Sequence, residues 1–232
     1  MGSGAEVDQV LRWMERRGSR AEREKLARYG LSDEKAYGIA VGDLKREAKR
    51  LGRNHALAEA LWESGRYEAR LMTAFVGEPE RLSKSQMDRW CREFDNWAVV
   101  DTLCFSFFDA SPHALSRVDV WHRRRGEFQR RAGFALLACL ALHASDLDDE
   151  VFLERLALVD SAAEDERKYV QKGVSWALRA MGERSLALHE AARELARALA
   201  ASEQRGRRWL GKDALRALDS AAVRKRLSRK AR

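Results

Sequence analysis

Tyr169-Val170-Gln171-Lys172-Gly173-Val174-Ser175-Trp176-Ala177-Leu178-Arg179 opens on an aromatic residue, carries a cation three positions later and runs on without a proline. Four other segments open on an aromatic residue, and all but the second carry the cation: Tyr67-Glu68-Ala69-Arg70, Trp97-Ala98-Val99-Val100, Phe128-Gln129-Arg130-Arg131 and Trp209-Leu210-Gly211-Lys212. Their aromatic residues follow one another at intervals of 30, 31, 41 and 40 residues. That is the range of helix-pair repeats of the HEAT or armadillo kind, in which each pair buries its apolar face on the next. The repeat predicts an all-α solenoid with the aromatic residues as core anchors.

The rest of the chain agrees with helix. Pro79 and Pro112 are its only prolines, and Ala, Leu, Arg and Glu are abundant. Val7, Val10, Leu11 and Met14 recur at i, i+3, i+4 and i+7, as do Met87, Trp90, Cys91 and Phe94; Leu188, Ala191, Ala192, Leu195 and Leu199 extend the pattern. Ser19 with Glu22 and Ser83 with Gln86 have the spacing of capping boxes, and Gly18, Gly30, Gly65 and Gly182 stand as helix stops. Roughly a dozen short helices are expected. They form one domain over 1–220, followed by a basic, disordered tail over 221–232 that contains Val-Arg-Lys-Arg-Leu-Ser-Arg-Lys-Ala-Arg.

The longest apolar stretch, Gly133 to Ala144, falls short of the roughly 20 residues a membrane span needs and reads as a buried core helix. The beginning of the sequence has no apolar export signal, so the expected location is cytoplasmic. Cys91, Cys104 and Cys139 lie among apolar neighbours without a CxxC pair and read as core thiols. The five histidines, at 55, 113, 122, 143 and 189, show no spacing that sets two ligands on one face, so no metal and no cofactor is expected. A monomer is the expected state.

A net charge of +8 points toward a polyanionic partner such as nucleic acid or an acidic membrane surface. Stacking the repeats sets Arg70, Arg131, Lys172 and Lys212 in a row near helix N-termini, which suits a phosphate backbone tracked without sequence readout. The alternative is a solvated face of a scaffold. The repeat at Trp97 breaks the row: it lacks the cation, and Asp101 follows. A carboxylate there has three readings, namely a favourable charge in a first helical turn, a salt bridge to Arg131 or another neighbour, or a group facing the sugar of bound DNA and stabilising positive charge in a transition state. Trp97 lies one turn before Asp101 on the same face, and ring and carboxylate together make a seat for a cation. Trp176, alone in mid-helix, reads by itself as core.

Ala-Arg-Tyr-Gly at 27–30, Asp-Asn-Trp-Ala-Val-Val-Asp at 95–101, Gln-Arg-Arg-Ala at 129–132, Val-Gln-Lys-Gly-Val-Ser-Trp-Ala-Leu-Arg at 170–179 and Trp-Leu-Gly-Lys-Asp-Ala-Leu at 209–215 resemble the AlkD branch of the DNA alkylation repair proteins, which are HEAT-like-repeat DNA glycosylases. The similarity runs from about Glu22 to about Leu218. The family's Trp-x-x-x-Asp pair matches Trp97 and Asp101, and its second cleft tryptophan matches Trp176. Its phosphate-contacting arginine matches Arg131, with Arg130 as the register alternative, and its N-terminal tyrosine matches Tyr29. A glutamine that some members place on DNA is Ala40 here.

The resemblance implies a C-shaped solenoid with a basic concave face that holds double-stranded DNA. It implies hydrolysis of the N-glycosidic bond of N3- and N7-alkylated purines, leaving an abasic site, without metal and without drawing the base into a pocket. An alkylated purine is already cationic and leaves without a general acid, so one carboxylate that stabilises the sugar and positions water suffices. Trp97 and Trp176 would each add about 0.5–2 kcal/mol of cation–π and packing attraction. With the resemblance, the catalytic reading of Asp101 takes precedence. The competing readings are a non-catalytic relative that binds DNA of unusual structure and a protein-binding repeat scaffold.

Overall fold

The computed structural model describes residues 3–230, which form fourteen α-helices and no strand. The helices fall into two compact units, one of residues up to Ser83 with Ser106–Ser111, the other of Lys84–Phe105 with the chain from Pro112 onward. The sequence reading expects one domain over 1–220. Helix-pair arrays make mostly near-neighbour contacts, so they divide readily.

The first unit holds α1 (Ser3–Arg17), α2 (Arg20–Arg28), α3 (Val41–Leu51), α4 (His55–Glu63) and α5 (Tyr67–Val76). Ser19 caps α2, its hydroxyl accepting from the Glu22 N–H at 3.2 Å, and Asn54 caps α4 through the Leu57 N–H at 3.0 Å. Between α2 and α3 the chain is irregular, and a single buried side chain orders its end. The Glu68 carboxylate on α5 accepts the backbone N–H groups of Tyr37, Gly38 and Ile39 at 2.8, 2.7 and 3.2 Å. Gly38 sits there at φ +82°, where an added Cβ would stand 2.2 Å from the Ser19 carbonyl oxygen. Glu68→Ala leaves three such donors unsatisfied, and a loss of about 3 kcal/mol is expected in urea unfolding. Hydrogen exchange should speed up first at Tyr37–Ile39; unchanged protection there would contradict the anchoring role.

The second unit holds α6 (Lys84–Arg92), α7 (Trp97–Leu103), α8 (Ala114–Trp121), α9 (Glu127–His143), α10 (Asp149–Ala162), α11 (Lys168–Gly182), α12 (Leu186–Ala200), α13 (Arg205–Leu218) and α14 (Ala221–Lys230). Every residue from Arg131 to Ala141 is buried, which is why α9 is apolar all round and sits centrally, as the stretch from Gly133 predicts. It packs on α6, α7, α8 and α11, and α11 packs in turn on α10, α12 and α13. The helices α7, α9, α11 and α13 thus lie side by side in repeat order. Close approach is built in at Gly211, where a Cβ would meet the Ala200 nitrogen of α12 at 2.2 Å. Cys91, Cys104 and Cys139 are buried free thiols.

Three expectations are corrected. The tail over 221–232 is helical across Ala221–Lys230, because Val223 and Leu227, four apart on one face, are buried; Ala231 and Arg232 lie outside the described residues. Tyr67 and Trp97 open their helices and Phe128 and Tyr169 stand one residue in, all four only half-buried, whereas α13 starts at Arg205, so Trp209 lies in its second turn and is 39% exposed; none of the five is a core anchor. Gly182 belongs to α11, tucked under Leu218, and the helix caps at Glu183.

Candidate active site

Asn96 sets the start of α7, its side-chain oxygen accepting from the Val99 N–H at 2.9 Å. Asp101 therefore falls in the second turn, beyond the reach of the N-terminal partial charge, so the first-turn reading of this carboxylate fails. The salt-bridge reading holds. Arg131, 5% exposed on α9, donates from Nε to Asp101 Oδ1 at 2.9 Å and from Nη2 to Oδ2 at 2.7 Å. Its Nη1 donates to the Tyr169 carbonyl oxygen on α11 at 2.8 Å. One guanidinium thereby ties three neighbouring helices together. Gly173 leaves the room for it, since a Cβ there would meet Arg131 Cγ at 3.3 Å.

The pair is lopsided. The Arg131 side chain is 7% exposed and that of Asp101 24%, so the cation stands behind and the carboxylate faces outward. Burial pushes the Asp101 carboxyl above its usual value of 3.8, against the hydrogen bonds and charge of Arg131, which pull it down. A bidentate pair of this kind holds a carboxylate in one orientation.

Asp101 opens onto a cleft of about 520 Å³. Trp176 and Trp209 supply its rings, Asp101 and Asp213 its carboxylates, Arg131, Lys172 and Arg179 its cations, and Ser175 completes it. A larger groove of about 790 Å³ runs between α1 and α3 in the first unit, but its Arg50 and Glu47 satisfy each other within one helix at 2.6 Å.

Of the residues singled out in the sequence, Asp101, Trp176, Arg131 and Lys172 meet in this cleft. Trp176 is half-buried there rather than core. Trp97 is half-buried at the head of α7 and is not among the cleft's lining residues; the second ring is Trp209. Arg131 is corrected as a phosphate contact: it lies inside, engaged by Asp101 and a carbonyl. Arg130 donates to Asp165 at 2.9 Å. Lys212 is exposed on α13. Arg70 and Tyr29 belong to the first unit, where the Arg70 guanidinium lies 4.6 Å from the Trp62 ring centroid and Tyr29, 63% exposed, ends α2. Ala40 occupies the N-cap position of α3 with no side-chain hydrogen bond.

Sequence reasoning missed Ser175, Arg179 and Asp213 and misread Trp209. A signal existed: Trp209 and Asp213 repeat the Trp-x-x-x-Asp spacing of Trp97 and Asp101.

The profile of the family described as DNA alkylation repair enzyme matches residues 10–218. No curated protein matches the chain. Among solved structures, one described as a new family of proteins related to the HEAT-like repeat DNA glycosylases, with affinity for branched DNA structures, superposes with a TM-score of 0.76. It is 21% identical, over 90% of this chain and 94% of that one. The shared architecture is the HEAT-like repeat fold. Among the described residues no helix is long and apolar enough to cross a membrane.

Proposed function

The chain belongs to the DNA alkylation repair enzyme family, and on that premise we propose that it is a monofunctional glycosylase, hydrolysing the N-glycosidic bond of cationic N3- and N7-alkylated purines in duplex DNA. The observation that carries this reading is the Asp101–Arg131 pair, with its carboxylate turned to a ring-lined cleft and its cation behind. As the C1′–N bond breaks, its electron pair leaves with the base, which becomes neutral, and positive charge gathers on the sugar. A carboxylate already fixed in place stabilises that charge without reorganising. Water adds to C1′ and its proton passes to Asp101 or solvent.

Trp176 and Trp209 attract a cationic nucleotide through their ring faces, and Trp97, one turn before Asp101, shapes the approach to it. Lys172, Lys212, Arg70 and Tyr29 contact the DNA backbone, whereas Arg131 holds Asp101. The protein acts as a monomer and calls on no cofactor.

Because the leaving group must be cationic, the enzyme should release 7-methylguanine and 3-methyladenine from methylated duplex and leave the neutral bases hypoxanthine and uracil in place. Release of neutral and cationic bases at equal rates would contradict the proposal. Trp176→Ala should slow excision of 7-methylguanine about 2- to 30-fold, the worth of one cation–π contact. Its melting temperature should stay close to the parental one; a collapse would return Trp176 to the core.

A second reading rests on the structural relative and on the ion pair itself. Arg131 compensates much of the Asp101 charge, so the same cleft suits a protein that binds branched DNA without cutting the glycosidic bond. Tight binding of a four-way junction with no base released from methylated duplex would favour it.

A further inference from the structure

The cleft contains a second Asp–Arg pair, built the other way round. Asp213 on α13 accepts the Ser175 hydroxyl at 2.6 Å, and Ser175 is 1% exposed. The Asp213 carboxylate stands 4.0 Å from Arg179 Nε. Arg179 Nε in turn donates to the Ser175 carbonyl oxygen at 3.2 Å. The terminal nitrogens of Arg179 have no hydrogen-bond partner among the described residues. Here the cation is the more exposed member, 36% against 26% for Asp213. In the Asp101 pair the order is reversed, 24% for the carboxylate against 7% for the arginine. The two pairs line one cleft with Trp176. It is therefore bipolar, with a carboxylate presented from α7 and a guanidinium from α11.

Phosphate binding does not need a carboxylate such as Asp213, which repels it. As an orienter of an arginine the carboxylate makes sense: the Ser175 carbonyl oxygen takes the Nε–H, the Asp213 charge 4.0 Å away draws the guanidinium to the same side, and the outer N–H fork is left for two phosphate oxygens. Arg216, the other cation near Asp213, is 3.7 Å away and 77% exposed, with its side chain in solvent.

We propose that Arg179 is the cleft's phosphate-binding residue, gripping the DNA backbone beside the alkylated nucleotide, and that Asp213, itself fixed by Ser175, is the positioning residue that aims it. This rests on the proposed function for the identity of the ligand, DNA, but not on glycosidic chemistry. It also supplies the role that Arg131, being buried, does not fill.

The test is a double-mutant cycle read by binding to an undamaged duplex and to a duplex holding an abasic-site analogue, titrated across salt concentrations. Arg179→Gln should weaken binding about ten-fold, the scale of one charge-assisted contact. It should also flatten the log–log salt dependence by about 0.9, one phosphate's worth. Asp213→Asn, which keeps shape, should weaken binding less than Arg179→Gln in the parental protein and should not weaken it in the Arg179→Gln background, where only its repulsion toward phosphate is removed. Ser175→Ala should act in the same direction as Asp213→Asn. An unchanged salt slope in Arg179→Gln would overturn the proposal, and so would a loss of binding on Asp213→Asn that persists without Arg179. A purely structural Asp213 would lower the melting temperature without moving the slope, which also overturns it. If the parental protein fails to bind duplex at all, the proposed function falls too; if it binds and only the cycle fails, this inference alone falls.

Discussion

Asp101→Asn is expected to lower single-turnover release of 7-methylguanine by about 10²–10³-fold, the scale seen when one preorganised group that stabilises a transition state is lost. Asparagine keeps the shape and one acceptor oxygen but not the charge. It also leaves Arg131 without its carboxylate, so some stability is lost, and the rate must be read at a temperature where both proteins are folded. DNA affinity should hold or rise, because a repulsion toward phosphate has gone. Protonation imitates the substitution. Since burial holds the Asp101 carboxyl above its usual 3.8, the parental rate should decline toward acid with a midpoint above 3.8, and the residual rate of Asp101→Asn should lack that limb. The stability sign runs the other way. A carboxyl raised in the folded state favours folding most below its unfolded value and loses that contribution as pH rises through the folded value. Ionised Asp101 at neutral pH is thus a cost that Arg131 offsets in part. A parental rate in Asp101→Asn would contradict the assignment.

Arg131→Ala is expected to lower stability by about 3–5 kcal/mol, the usual penalty for removing one partner of a buried pair. It strips Asp101 of both hydrogen bonds and frees the Tyr169 carbonyl oxygen, so α7, α9 and α11 lose their common tie. Arg131→Lys keeps the charge but not the fork, and should fold while excising more slowly than the parent, because one ammonium cannot fix both carboxylate oxygens. The salt slope of DNA binding should be the same in Arg131→Lys and the parent. A phosphate-contacting Arg131 would do the reverse: Arg131→Ala would flatten the slope by about 0.9 and leave unfolding unchanged.

The repeat of aromatic residues is enough to order the lining helices, because a helix start recurs in sequence whenever a pair recurs in space. Asp101 is legible as the exception in a row of cations, and Trp176 through its neighbours. Arg131 is not. A cation three residues after an aromatic reads alike whether it points to solvent or to a carboxylate on the next helix, and only α9, buried from Arg131 to Ala141, decides. Trp209 misleads because α13 begins four residues earlier than the spacing suggests, which turns the ring outward. Asp213 carries a signal in the Trp-x-x-x-Asp spacing it shares with Asp101, but Arg179 escapes because its meaning lies in relative exposure, which has no one-dimensional signature. The charges of the tail suggest disorder, although Val223 and Leu227 carry the helical spacing.

The most direct test of the central claim uses a duplex with a single 7-methylguanine and protein in excess. Glycosidic hydrolysis by Asp101 predicts that strand breaks appear at the lesion after alkali and not before, in step with release of the free base, and that Asp101→Asn abolishes most of both. Binding of that duplex without any alkali-labile site forming would contradict it and leave the chain a DNA-binding member of its family.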